Sequence, residues 1–539
     1  MNPTTGLTWA VMFASASDPD LGLCRPCNRY GMFGHAPRHV SAPLLMRSMN
    51  STSGVSYYLL GPGEVSNQPP RSIQLQLASE ELQPSTLAIR KDDDDNNDDD
   101  DDGRLSKWGT DAKRVLDEQA RTRRIAAEDV DFCFMFGSPA VWVEETITQM
   151  TRAIEESKMT HVDGEVASWK FIDEPEAAAL ALVPDMVKEH KLKEGQTIVV
   201  ADLGGGTVDF ISYKISKLTP VLNVQECVAG EGRLLGDLFM RRALYSLVEE
   251  EAQREAQRAH GTTILENDKE KIEAQAEELW KLTQLMTAAA WDDMTHEFKV
   301  DLSDGTLLSV NLTGGKIVTE LREITKGIVE LTKKQTSAVK EKTGKEPAMI
   351  LVVGGFGCNT FLQSEMMRQL DGLGPHIEFA DQKGRFAVKN GAAIACVTTF
   401  GGGIGMPRTP PMYIKSFVSP KSYGAWDGTT PQNEIGFFVS KGGELPATVV
   451  LRPRAFREEQ DECRLTIYAI STPLTAVVAL KTIKVGIKRF TIICKKPEIL
   501  ERGAQLKLEV GKKGEKGKTV GFKIFVDGEE DKEEEYFHM

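Results

Sequence analysis

The sequence predicts an α/β protein followed by a smaller β-rich region, and three observations lead there. Continuous apolar runs at Val130–Phe136, Thr197–Ala201 and Met349–Val353 have the length and composition of strands covered on both faces. Amphipathic segments of helical period stand between them, such as Trp142–Ser157 with Ile147, Met150 and Ile154 on one face. After Met406-Pro407 the helical patterns stop, and residues 401–539 alternate short strand-like runs with Gly, Pro and Lys turns.

Taken in order, residues 1–46 show no sustained period and are rich in Pro, Gly, Ser and Met, so they are expected to be disordered. Residues 47–128 hold only partial elements: a β-like run over Gly54–Leu60, a Gly-Pro-Gly turn and an alternating run over Ser72–Leu77. The Asp/Asn run 92–102 reads as a solvated insertion, because like charges repel and it lacks the spaced ligands and glycine of a calcium loop. Regular patterning begins at Asp129. A short strand is expected at Phe171-Ile172 and an Ala-rich helix from Glu176, with Val208–Ile215 the hairpin partner of Thr197–Ala201. Leu234–Trp291 reads as one long helical region. Phe298–Val310 has strand character around a Ser303-Asp304-Gly305 turn, Ile317–Lys340 is helical, and Thr360–Leu370 is a helix.

Composition excludes some partners. The net charge is -14, but nine aspartates stand between residues 92 and 102, so the acidity is mostly local. No basic stripe marks a nucleic-acid partner, and no uninterrupted apolar run reaches the ~18 residues of a membrane span. The first Arg is Arg25, so the start lacks the basic region of a secretory leader and a cytoplasmic location is expected. Of the eight cysteines only Cys24 and Cys27 are close in sequence; the others sit in apolar runs and read as small buried hydrophobes.

The segment richest in chemistry is Ile198-Val199-Val200-Ala201-Asp202-Leu203-Gly204-Gly205-Gly206-Thr207-Val208-Asp209-Phe210. A buried strand delivers Asp202 at its end, and three glycines then form a turn whose backbone N–H groups can face an anion. Thr207 offers a hydroxyl to a phosphate oxygen, and Asp202 suits a water-mediated contact to magnesium. A plain glycine-rich hairpin is the alternative, but Asp202 and Asp209 bracketing the glycines favour phosphate.

Asp202–Phe210 resembles the second phosphate motif of the actin-like ATPase superfamily, in the form used by the seventy-kilodalton heat-shock chaperones. Other segments match in the same order: Ser138-Pro139-Ala140 before a helix, Asp173-Glu174-Pro175-Glu176-Ala177-Ala178-Ala179, Gly232–Phe239, Ile350–Asn359 with Gly354-Gly355-Phe356-Gly357, and Asn390-Gly391-Ala392-Ala393. The wording is similar to the divergent chaperone-like members common in fungi. The resemblance covers residues 129–400. It implies two lobes flanking a nucleotide cleft, with ATP and magnesium as cofactors and protein clients or co-chaperones as partners. By it, Glu174 and Asp202 are catalytic, with Asp202 reaching magnesium through water. Gly204, Gly205, Gly206, Thr207, Gly354 and Gly355 contact the nucleotide, and the two glycine turns stand on opposite walls about one nucleotide apart. Pro139 falls in the family's interdomain relay, or is a plain strand terminator.

The first phosphate motif departs from the pattern. Its counterpart is Leu44–Tyr57, where Ser53-Gly54-Val55 fits, but Arg47 replaces the Asp and Met49 the Gly. The family's catalytic Lys has no counterpart, and near Trp280 only Lys281 offers a basic group for adenine. Residues 1 to 50 therefore stem from an altered start of the reading frame, or the chain is a pseudo-ATPase. ATP binding with impaired hydrolysis is expected, the alternatives being a non-enzymatic scaffold for partner binding and, disfavoured by the chaperone-type motifs, a sugar or acetate kinase.

Overall fold

The computed structural model describes residues 130–400 apart from 141, 143, 157–159 and 163–164. Before them it describes 8–15, 44–49, 55–59, 74–75 and 89–90. After them it describes 410–419, 421–425, 434–445, 447–451, 457–459, 462–470, 477–479, 488–494, 506–512, 520–526, 529–530 and 535–538. The chain is a mixed α/β protein and divides into two compact units, residues 1–211 with 230–412, and 212–229 with 413–539.

The first unit contains two larger sheets besides short two-stranded ribbons. In the first, β1 (Thr8–Ser15), β2 (Leu44–Met49) and β3 (Val55–Leu59) form an antiparallel meander, with β1 also antiparallel to β4 (Val130–Ser138). Helix α1 (Glu144–Glu156) follows β4, and β5 (Ser168–Asp173) completes the sheet parallel to β4, giving the order β3-β2-β1-β4-β5. Phe136 is fully buried beside Trp169 and Phe171, an aromatic cluster that fixes β4 against β5.

Strand β1 lies within the stretch expected to be disordered. The run Trp9–Ala14 is apolar without alternation, and it pairs antiparallel with β2 on one side and β4 on the other. The rest of 1–43 and the acidic run 92–102 lie outside the described residues.

From Asp173 the chain turns into α2 (Glu174–Lys188), with Pro175 in the first turn, where no N–H is required, and acidic Glu174 and Glu176 beside the positive helix end. Its Ala177, Ala178 and Ala179 are fully buried. The second sheet opens with the hairpin of β6 (Thr197–Leu203) and β7 (Val208–Lys217), of which the part from Ser212 belongs to the second unit together with β8 (Leu222–Glu226). Strand β9 (Glu231–Arg233) pairs with Val208–Phe210 of β7.

The expected single helical region is interrupted. It forms α3 (Asp237–Glu255) with a wider turn to His260, α4 (Lys269–Thr283) and one turn at Ala288–Trp291. Gly261 adopts φ 63°, a left-handed conformation that ends the first helix and that helical periodicity does not register. The hairpin β10 (Thr295–Asp301) and β11 (Leu307–Thr313) follows as expected, then α5 (Gly314–Thr343), closed by left-handed Gly344.

Strand β12 (Met349–Val353) lies parallel to β6, with Ile198 opposite Met349 and Asp202 opposite Val353. Helix α6 (Thr360–Leu370) leads to β13 (His376–Phe379), parallel to β12. The short α7 (Asp381–Arg385) then precedes α8 (Ala387–Phe400). Helix α8 crosses α2 so closely that a methyl group on Gly391 would fall 1.6 Å from the Ala177 carbonyl oxygen. The chain thus passes from the first sheet to the second through α2, and α8 brings it back to pack on β4.

In the second unit, β7 from Ser212 pairs antiparallel with β8, and β8 neighbours β14 (Met412–Ile414). The strands β15 (Ser422–Ala425), β16 (Glu434–Val439), β17 (Ala447–Leu451), β18 (Glu462–Ile470), β19 (Lys488–Cys494), β20 (Leu506–Lys512), β21 (Val520–Val526) and β22 (Glu535–His538) make two antiparallel sheets. One runs β16-β15-β18-β19-β22, the other β17-β20-β21. No helix follows Phe400 among the described residues.

Candidate functional site

Every residue of β6 is buried, as expected of an inner parallel strand, and it ends by carrying Asp202 into the interior. Asp209, just beyond the turn, is buried too. Burial pushes the Asp202 carboxyl up to about 7, and the neighbouring Asp209 carboxylate adds to the rise. Two buried carboxylates thus share a small space where one proton or one cation would relieve their repulsion.

The turn between them is held from one side. The N–H groups of Gly236, Asp237 and Leu238, at the start of α3, donate to the carbonyls of Gly206, Gly204 and Gly205 at 3.2, 3.2 and 3.0 Å. Across a planar trans peptide the C=O and the next N–H point in opposite directions. Three carbonyls aimed into α3 therefore leave the N–H groups of Gly205, Gly206 and Thr207 facing away from it, on the side where an anion could meet them. The start of α3 is consumed in holding the turn and is not itself the anion site. Gly236 is a glycine for this reason, since a methyl group there would fall 2.3 Å from the Gly205 carbonyl oxygen.

Gly354 follows β12 at φ 88°, and a methyl group on it would lie 2.3 Å from the Leu203 carbonyl oxygen and 2.5 Å from Asp202 Oδ1. The expectation that the two glycine turns face each other from opposite walls is therefore corrected. They leave the C-terminal ends of neighbouring parallel strands and lie side by side, at the sheet end where ligands of parallel sheets gather. Gly354 N–H donates to Gly384 O at 3.1 Å, tying the turn to α7. Gly355 differs: it is exposed, and a methyl group there would meet nothing within 4 Å. Packing explains Gly354 and not Gly355.

Beyond these glycines, Asn359 caps α6 by accepting from Leu362 N–H at 3.0 Å, while its buried Nδ2 has no hydrogen-bond partner among the described residues. The Phe356 ring packs on Trp280 at 6.4 Å between centroids, and the Arg241 guanidinium stands 5.9 Å from the Trp280 ring while pairing with Glu277. Arg241 is the basic group that a sequence search around Trp280 overlooks. It comes from α3, and only the packing of α3 on α4 brings it there. Lys281 points elsewhere, pairing with Glu278 at 2.6 Å on the exposed face. Asp237, four residues before Arg241, is pushed up to about 6 by burial, with Arg241 opposing.

Glu174 comes from the other sheet. It is buried at the end of β5 in the first sheet, one residue into α2. Pro139 O accepts from Trp142 N–H at 3.2 Å, so Pro139 ends β4 in a turn. Arg47 lies on β2, opposite Trp9 on β1 and Tyr57 on β3, so the Leu44–Met49 and Val55–Leu59 segments do form a hairpin.

Among the described residues no group of three or more His, Cys, Asp or Glu could by itself hold a metal ion. The pair Asp202 and Asp209 fits magnesium held largely by phosphate and water, which needs only one or two carboxylates. No helix among the described residues is long and apolar enough to cross a membrane. No protein-family model matches the chain.

Proposed function

We propose that the first unit is an actin-like nucleotide-binding module of the heat-shock seventy-kilodalton type, taking ATP with magnesium at the Gly204–Thr207 turn. The observation that carries the reading is the orientation of that turn: three carbonyls drawn into α3, three N–H groups turned outward, and two buried carboxylates beside them. Two sheets joined through the crossing helices α2 and α8 support the two-lobed form of the fold.

In this reading the N–H groups of Gly205, Gly206 and Thr207 bind phosphate oxygens, and the Thr207 hydroxyl adds a donor. Magnesium supplies neutralisation of phosphate charge. Asp202 holds one of its waters, and Asp209 keeps Asp202 ready to exchange a proton for that cation. Gly355 admits the nucleoside, with Phe356, Trp280 and Arg241 forming the wall behind it. Glu174 orients the attacking water from the first sheet.

Turnover is slow in this reading. Arg47 and Met49 replace the Asp and Gly of the first phosphate motif, and losing one electrostatic contact to a transferring phosphoryl group costs ~10²–10³ in rate. A non-enzymatic nucleotide-dependent scaffold is the second reading, favoured by those two substitutions. Calorimetric titration with ATP and magnesium, followed by a phosphate-release assay, separates the outcomes. Binding with negligible release is expected, chaperone-like turnover would overturn the slow-hydrolysis part, and absence of binding would overturn the whole.

A further inference from the structure

Outside the nucleotide site, two buried thiols meet across the first unit. Cys133 on β4 and Cys396 on α8 are 263 residues apart in sequence, yet their sulfurs lie 3.0 Å apart with no disulfide between them. Cys133 is 7% exposed and Cys396 fully buried. Cys358 offers a contrast: its sulfur meets the carbonyl oxygens of Asp381 and Gly354 at 3.2 and 3.7 Å.

We propose that Cys133 and Cys396 form a redox pair that a peroxide-class oxidant converts to a disulfide stapling α8 to β4. The chemistry balances with hydrogen peroxide alone. One thiolate attacks a peroxide oxygen, the O–O bond breaks, and a sulfenic acid and one water result. The second sulfur attacks the sulfenic sulfur, the S–O bond breaks, and a second water leaves with the remaining thiol proton. Two S–H bonds and one O–O bond are lost, one S–S bond is gained, and the two electrons reside in water. The sulfurs need to close by only ~1 Å to reach the bonded distance of ~2.05 Å.

Two features give the staple a consequence. Helix α8 follows α7, whose Gly384 carbonyl holds the Gly354 N–H, and it crosses α2 at Gly391. Fixing α8 to β4 thus ties to the first sheet the helix that directly follows α7, the element bonded to the Gly354 turn. The cross-link also closes a very long loop, where constraint of the unfolded chain is largest. The Cys396 thiol is held above its usual range by its hydrogen bond to Cys133 and by burial, so the pair stays reduced until local opening admits oxidant. This proposal does not rest on the nucleotide reading.

The test uses the full chain, reduced, freed of reductant and incubated with hydrogen peroxide, then digested without reduction for mass spectrometry. A peptide linking Cys133 to Cys396 is expected, together with a rise in the unfolding midpoint of roughly 5 °C that reductant reverses. Cys133→Ser and Cys396→Ser should each lose both. Should a serine variant fail to fold, Cys133→Ala and Cys396→Ala replace it, and the wild-type peptide map decides the linkage regardless. Both thiols still free after peroxide, or a midpoint rise that persists in the variants, would overturn the proposal.

Discussion

The two sheets of the first unit finish their strands with different equipment. In the second sheet, β6 and β12 end side by side with two buried carboxylates, a glycine turn backed by α3, and Gly354 pressed onto Asp202. In the first sheet, β5 leads directly into Glu174 at the start of α2, while the hairpin of β2 and β3 carries Arg47 and Met49 where the resemblance calls for Asp and Gly. The second sheet brings together every group that the proposed phosphate site needs, the first only one candidate group. On the proposed reading binding and catalysis come apart in this chain: the half that would grip phosphate keeps its groups, and the half that would assist its transfer does not.

The sharpest way to break this comparison is to disturb the helix crossing on which both sheets depend. Gly391→Ala would drive a methyl group into the α2 backbone, so a loss of about 3–5 kcal/mol, read by denaturant unfolding, is expected. Gly354→Ala is next. Its positive φ and the contacts with Leu203 and Asp202 predict a loss of roughly 2–3 kcal/mol, with nucleotide binding lost as the turn shifts. An unchanged midpoint for either would show that the backbone contacts are looser than described.

The carboxylate pair sharpens the comparison through pH. Asp202 is raised to about 7 and Asp237 to about 6, so between pH 4 and 7 the folded state holds protons that the unfolded chain has released. Unliganded stability should therefore fall as pH rises through that window and level off above it, by an amount on the order of a few kcal/mol. Asp202→Asn should flatten most of this dependence, leaving the variant more stable than wild type at pH 8. A wild-type midpoint that climbs steadily from pH 4 to 8 would contradict the pair. The smallest effect belongs to Gly355→Ala: its open surroundings predict a stability change within about 0.5 kcal/mol, while nucleotide affinity falls.

Much of this was legible before any coordinates. The strand from Thr197, its glycine turn and Asp202 are contiguous, so local chemistry was enough to single them out. Helices such as α5 and α6 follow from periodicity alone. What stayed hidden depends on contacts between distant segments. Strand β1 is completed by pairing with β4, more than a hundred residues further along, and Gly261 ends a helix through one dihedral angle. Arg241 meets Trp280 only because α3 packs on α4, and Cys133 meets Cys396 only because α8 returns to β4. The side-by-side placing of the two glycine turns follows from the parallel register of β6 with β12, which neither motif encodes by itself.

The proposal turns on whether the Gly204–Thr207 turn and Asp202 grip a magnesium nucleotide. Isothermal titration of ATP at pH 8, with and without magnesium, into wild type and Asp202→Asn tests it most directly. Saturable binding that requires both magnesium and the Asp202 carboxylate is the predicted result. ATP binding of equal strength in the folded Asp202→Asn variant, or none in wild type with magnesium present, would contradict it.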